Sequence, residues 1–85
     1  MEAIHVDFDV DVCDRSVVPA CPAAAPGGIG ADELRQYAFL AGKTNTVSSM
    51  DITEIDATAD SPDQRTIRLA ALLILEASTG VALRK

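Results

Sequence analysis

Asp9 and Asp11 stand two residues apart at the end of a segment that alternates without a slip from Ile4 to Val12. Ile4, Val6, Phe8, Val10 and Val12 fall on one face, and His5, Asp7, Asp9 and Asp11 on the other, so the period of two predicts a strand over 4–12. Aspartate is disfavoured in strands, and residues i and i+2 on one face lie about 6.5–7 Å apart at Cα. Two such carboxylates repel each other unless a cation lies between them. Hard oxygen donors of this kind suit Mn²⁺ or Mg²⁺ better than copper or structural zinc. The competing reading is an edge strand whose acidic face is merely solvated.

The elements that must position this pair follow from the rest of the chain. Asp14 to Gly30 carries Pro19, Pro22, Pro26 and Gly27-Gly28, which predicts a long irregular loop of the sort that is usually functional or disordered. Ala31 to Ala41 reads as a helix, with Asp32 and Glu33 in its first turn and Gly42 as its C′ residue. A second strand is expected over Thr46 to Ile55. Ser61-Pro62-Asp63-Gln64 has the form of a capping box with proline at N1, so the last helix is expected to start there and to close at Gly80. Its run from Ile67 to Ala77 is interrupted only by Arg68 and Glu76. A helix apolar nearly all round must be covered on more than one side.

Strands alternating with helices imply right-handed crossovers and a parallel sheet. In open parallel sheets, ligands bind beyond the carboxyl ends of the strands. Parallel pairing therefore places Glu54 on the same rim as Asp9 and Asp11, beside the Pro/Gly loop. His5, the one histidine, lies too early on the strand for that rim and is expected to be structural or exposed. Asp51 is either a hydrogen-bonded acid or solvent-facing. Arg65 and Arg68 are read as surface or ion-pair residues.

Eighty-five residues make one small domain, 1–85, that buries about 60–65 % of its unfolded surface. Half of the composition is apolar, 48 % with aromatics at 4 % and a mean hydropathy of +0.18, the Ala/Val/Ile/Leu mixture of a buried parallel sheet. Disorder is not expected at that richness. Thirteen acids against seven bases leave a net charge of −6, which argues against nucleic acid and anionic membrane as partners. Cys13 and Cys21 have neither CxxC spacing nor nearby histidines, so zinc-ribbon and thioredoxin-type motifs are excluded and two reduced thiols in a cytoplasmic protein are expected. No signal segment opens the chain, and Leu69 to Leu75 is too short to span a bilayer. No GxGxxG or Walker loop occurs.

Asp7-Phe8-Asp9-Val10-Asp11-Val12-Cys13-Asp14 is similar to the S-F-D-x-D-x-x-D-P segment of the ureohydrolases, the family of arginases, agmatinases, guanidino-acid hydrolases and formimidoylglutamases. Pro19 and Pro26-Gly27-Gly28 resemble that family's P-x-x-x-x-P-x-P-G-G loop, Ser49-Met50-Asp51-Ile52-Thr53-Glu54-Ile55 its M-D-I-V-E-V strand, and Asp63-Gln64-Arg65-Thr66 its D-G-R-T helix start. The resemblance covers nearly the whole chain in order. It implies an α/β fold, the C-terminal β-α-β-α part of a three-layer α/β/α sandwich with a parallel sheet. It further implies that Asp9 and Asp11 ligate a binuclear Mn²⁺ centre and that Glu54 contacts a guanidino or formimino substrate, whose linear C–N bond is hydrolysed.

The departures are specific. Asp7 replaces the usual Ser, Arg15 replaces the Pro of D-P, Ala20-Cys21-Pro22-Ala23-Ala24 replaces G-T-G-T-P, and Asp56-Ala57 replaces N-P. The family's G-G-x-H and D-A-H-x-D ligand segments have no counterpart here. The chain alone is therefore expected to be inactive, and to associate with itself or with the missing part of the fold. A non-catalytic module that docks through its apolar helix is the alternative.

Overall fold

The computed structural model describes residues 3–21, 24 and 26–84. Strand β1 (Ile4–Asp9) pairs in parallel with β2 (Val47–Thr53), from Ile4 opposite Val47 to Asp9 opposite Thr53. Helix α1 (Ala31–Lys43) and helix α2 (Arg65–Ala82) complete the alternation. The fold is α/β, as the order of elements demands. Phe8, Val10, Leu34, Ala38, Leu69 and Leu73 form the core, with Val6, Met50 and Ile52 packed against it, so both helices cover one face of the sheet. The other face presents His5, Asp7, Ser49 and Asp51 to solvent.

Strand β1 is shorter than its alternation predicts. Pairing ends at Asp9, whose carboxylate accepts the Asp11 N–H at 3.1 Å, a local bond that competes with a ladder. Val10–Val12 consequently form a single 3-10 turn. Val10 still enters the core at 1 % exposure, but Val12 turns outward at 47 %, so the face assigned to it from period two is wrong. Strand β2 likewise ends at Thr53 rather than Ile55, because Glu54 takes a positive φ of 70° that leaves the extended region.

The start of α2 is also displaced. Ser61 to Gln64 form a turn closed by Gln64 N–H donating to Ser61 C=O at 2.8 Å. Gln64 is left-handed at φ 55°, so Ser61 cannot serve as N-cap. Asp60 does that work: its carboxylate accepts the Thr66 and Ile67 N–H groups at 3.3 and 3.1 Å, satisfying orphan donors where the helix dipole favours negative charge.

Gly42 and Gly80 lie inside their helices rather than after them. A Cβ on Gly42 would stand 2.0 Å from the Ala77 carbonyl oxygen, and one on Gly80 would stand 2.3 Å from that of Phe39. These positions are glycine because the two backbones touch there. Arg84 reinforces the contact by donating to the Gly42 and Val47 carbonyls at 2.6 and 2.9 Å.

Outside the core, α2 leaves Ile74 and Leu75 about 60 % exposed, as expected of a helix with more apolar surface than one neighbour can cover. Among the described residues no helix is long and apolar enough to cross a membrane.

Candidate metal-binding site

Asp9 and Asp11 lie at the carboxyl end of β1, Asp9 as its last paired residue and Asp11 in the turn that follows. The expectation that both project from one regular strand gives way to a tighter arrangement. The strand-to-turn transition brings the two side chains close enough for Asp9 to act on Asp11. Desolvation, then the Asp9 charge and a hydrogen bond with its carboxylate, push the Asp11 carboxyl above its usual range. Among the described residues no ion pair involves either acid. Two adjacent oxygen donors with no cation of their own fit a hard divalent ion.

Glu54 follows Thr53, the partner of Asp9, so it stands at the same end of the sheet. It is exposed. Its positive φ costs about 1–2 kcal/mol for a residue with a Cβ, and such strain clusters at functional sites. Among the described residues no third His, Cys, Asp or Glu joins the aspartate pair in a group able to hold a metal ion. Glu54 is thus a rim residue outside the pair's own donor set.

His5 is far from this rim. Its Nδ1 lies 2.7 Å from Ser49 Oγ and its Nε2 2.9 Å from Asp51 Oδ2, an exposed structural cluster. Asp7 stands opposite Asp51 in the register and shares a hydrogen bond with it. That bond raises Asp7 and, together with His5, lowers Asp51. Thr53 Oγ1 also donates to Asp7, at 3.1 Å.

The Pro/Gly loop is tied to the rim at several points. Ile29 bridges Cys13: its N–H donates to Val12 C=O and its C=O accepts from Asp14 N–H, both at 2.9 Å. Gly28 permits this approach, since a Cβ there would meet the Cys13 carbonyl carbon at 2.5 Å. Asp14 accepts the Gly27 N–H at 2.7 Å and the Ser16 N–H at 3.0 Å, and these bonds, with that of the Ser16 hydroxyl foremost, hold its carboxyl below the usual range. The altered stretch 20–24 is anchored too, for the Ala20 N–H donates to the buried Thr66 hydroxyl at 3.1 Å and Asp56 N–H donates to Ala20 C=O at 2.8 Å; Pro22, Ala23 and Ala25 lie outside the described residues. Arg65 pairs with Asp63 at 3.0 Å and donates to the Ser16 carbonyl at 2.9 Å, so it is the ion-pair residue expected, with a second task in fixing the loop. Cys13 and Cys21 are both fully buried thiols, and burial raises the Cys13 thiol.

Sequence reasoning passed over Thr66 and Asp60 as supports of this rim. A hydroxyl near the start of an otherwise apolar helix, and an acid six residues before it, were the available signals.

The architecture defines a class: a parallel α/β unit whose strand ends carry acidic residues, with a Pro/Gly loop bridged to the first strand's end at Cys13 and Ile29. Comparison with known proteins narrows it. The arginase family matches residues 1–80. The formimidoylglutamase of Halalkalibacterium halodurans is 39 % identical over 84 residues, which is 99 % of this chain and 26 % of that protein. The crystal structure of formimidoylglutamase from Bacillus subtilis superposes with a TM-score of 0.91 at 37 % identity, covering 99 % of this chain and 26 % of that one. A Trypanosoma cruzi formiminoglutamase crystallised with Mn²⁺ gives 0.90 at 32 % identity, over 99 % and 28 % of the two chains. The chain belongs to the arginase family, and it spans about a quarter of the length of these relatives.

Proposed function

We propose that this chain contributes the Asp9/Asp11 half of a binuclear manganese site, together with the substrate-contacting Glu54, to a hydrolase of linear C–N bonds in formimino or guanidino compounds. The observation that carries the reading is the adjacent Asp9/Asp11 carboxylate pair, without an ion-pair partner among the described residues, at the carboxyl end of a parallel strand. The family membership and the Mn²⁺ in a formiminoglutamase relative support it. Among these substrates the formimino compound is favoured by the two-formimidoylglutamase neighbourhood at 39 % identity.

Asp9 and Asp11 would hold the metal through carboxylate oxygens. When bound, the metal supplies Lewis-acid activation of water for attack on the amidine carbon. Glu54, an acceptor-only group when ionised, receives the N–H groups of the amidinium-like end and fixes its carbon against the rim. The chain has one histidine, engaged with Ser49 and Asp51, so the two aspartates form a half-site that turns over no substrate alone. Its partner for activity is the remainder of an arginase-family fold, since another copy brings only a second His5. The exposed Ile74 and Leu75 of α2 favour such association, since apolar patches of this kind seek partners.

Metal titration tests the reading. Wild type should bind Mn²⁺ more tightly than Asp9→Asn/Asp11→Asn, and equal affinity refutes the half-site. The pure chain with Mn²⁺ should hydrolyse neither formimidoylglutamate, arginine nor agmatine; clear turnover refutes its dependence on a partner.

A further inference from the structure

We propose that Asp14 is a positioning residue for the metal pair: its carboxylate clamps the Pro/Gly loop onto the end of β1 and thereby sets the turn that presents Asp11. The inference rests on the metal reading above and adds a residue to it.

The physical case begins with the backbone after Asp11. The 3-10 turn at Val10–Val12 is a single turn, closed by Cys13 N–H donating to Val10 C=O at 3.0 Å. One turn of this kind is marginal by itself. It is held from its far side by Ile29, which bonds both Val12 and Asp14. The segment that delivers Ile29 comes from a loop rich in proline and glycine, whose conformational entropy opposes a fixed position. Asp14 Oδ1 accepts the Gly27 N–H at 2.7 Å, across thirteen positions of sequence, immediately before the bridge. The same carboxylate takes the Ser16 N–H and hydroxyl on its other oxygen. Asp14 thus binds the outgoing and the returning arms of the loop together. Gly28 lies against the backbone of residues 12–14 with no room for a side chain, so the clamp works at backbone contact. Partners that orient metal ligands in this indirect way typically change metal affinity by about 10–100-fold when removed.

The test uses the full 85-residue chain, with Mn²⁺ alone as probe and amide hydrogen exchange as a metal-free readout. Asp14→Ala should speed exchange at Gly27, Ile29 and Asp11 while α1 and α2 stay protected, and should weaken Mn²⁺ binding by about 10-fold. Asp14→Asn retains a carbonyl oxygen for Gly27 N–H and should recover most of both effects. Ser16→Ala, which removes only the local hydroxyl bond, should bind Mn²⁺ like wild type. If wild type exceeds Asp9→Asn/Asp11→Asn in affinity but Asp14→Ala matches wild type, the positioning role is overturned and the metal reading stands. If wild type binds no tighter than the double variant, the metal reading fails and the role of Asp14 fails with it. Should Asp14→Ala not fold, wild type decides: an unprotected Gly27 amide, which has no backbone acceptor among the described residues, overturns the clamp.

Discussion

Two pairs of aspartates lie within a few residues of each other on this molecule, and they solve the same problem of like charge differently. Asp7 and Asp51 face each other across the two strands and share a hydrogen bond that raises Asp7 and lowers Asp51. His5 then bonds Asp51, and Thr53 bonds Asp7. Each acid of that pair thus has a bracing bond from a neighbouring side chain. Asp9 and Asp11 share a backbone turn and a side-chain hydrogen bond of their own, but among the described residues neither a bracing side chain such as His5 or Thr53 nor an ion pair meets them. The difference tells the two acid pairs apart where a count of acidic residues does not, and on the proposed reading the Asp9/Asp11 pair is the one left for a cation. Acids that neighbouring side chains already brace have less need of a cation.

The largest expected effect attacks the contrast directly. Asp9→Asn/Asp11→Asn should lower Mn²⁺ affinity by at least about 100-fold, since loss of direct ligands exceeds loss of their supports. Asp7→Asn/Asp51→Asn should leave it within about threefold, because those groups lie outside the donor set. Calorimetric or relaxation titration of the two variants reads both, and similar losses would erase the distinction.

Glu54 gives an intermediate effect. If its left-handed backbone is strain retained for function, Glu54→Gly should stabilise the chain by up to about 1 kcal/mol in urea unfolding, glycine's entropy offsetting part of the relief. A destabilised variant would show that the Glu54 side chain serves the fold.

Asp63 sharpens the comparison from the side of a carboxylate with its own cation. The Arg65 guanidinium, with the Ser61 hydroxyl behind it, holds Asp63 down to about 2 from an ordinary 3.8. A depressed folded-state value contributes stability that is present above the unfolded value and lost as pH falls through the folded one. Wild type should therefore be more stable than Asp63→Asn at neutral pH, with the gap closing as pH falls from about 4 to about 2. The effect is small, for the pair is exposed. A gap independent of pH would show that Asp63 acts by some means other than its charge.

Much of this was readable in the chain itself. Period two from Ile4, the α/β alternation, the expectation of parallel strands and the grouping of Asp9, Asp11 and Glu54 at one end of a sheet all follow from pattern and connectivity, and the motif order led to the family. The helix boundaries were less legible. Ser61-Pro62-Asp63-Gln64 has the composition of a capping box, yet Asp60 caps α2, because the cap depends on which oxygen reaches the first N–H groups. Gly42 and Gly80 look like terminators in one dimension and are contact points in three.

By itself, then, the sequence determined which side chains could be ligands and on which kind of element they would sit, since side-chain chemistry and hydrophobic period are local properties. Only the tertiary structure decided which acid pair is braced by neighbouring side chains, how the chain turns between Asp9 and Asp11, and that Asp14 reaches Gly27. Those outcomes depend on hydrogen bonds between residues far apart in the chain, and no local pattern encodes a bond whose acceptor arrives only when the loop has closed.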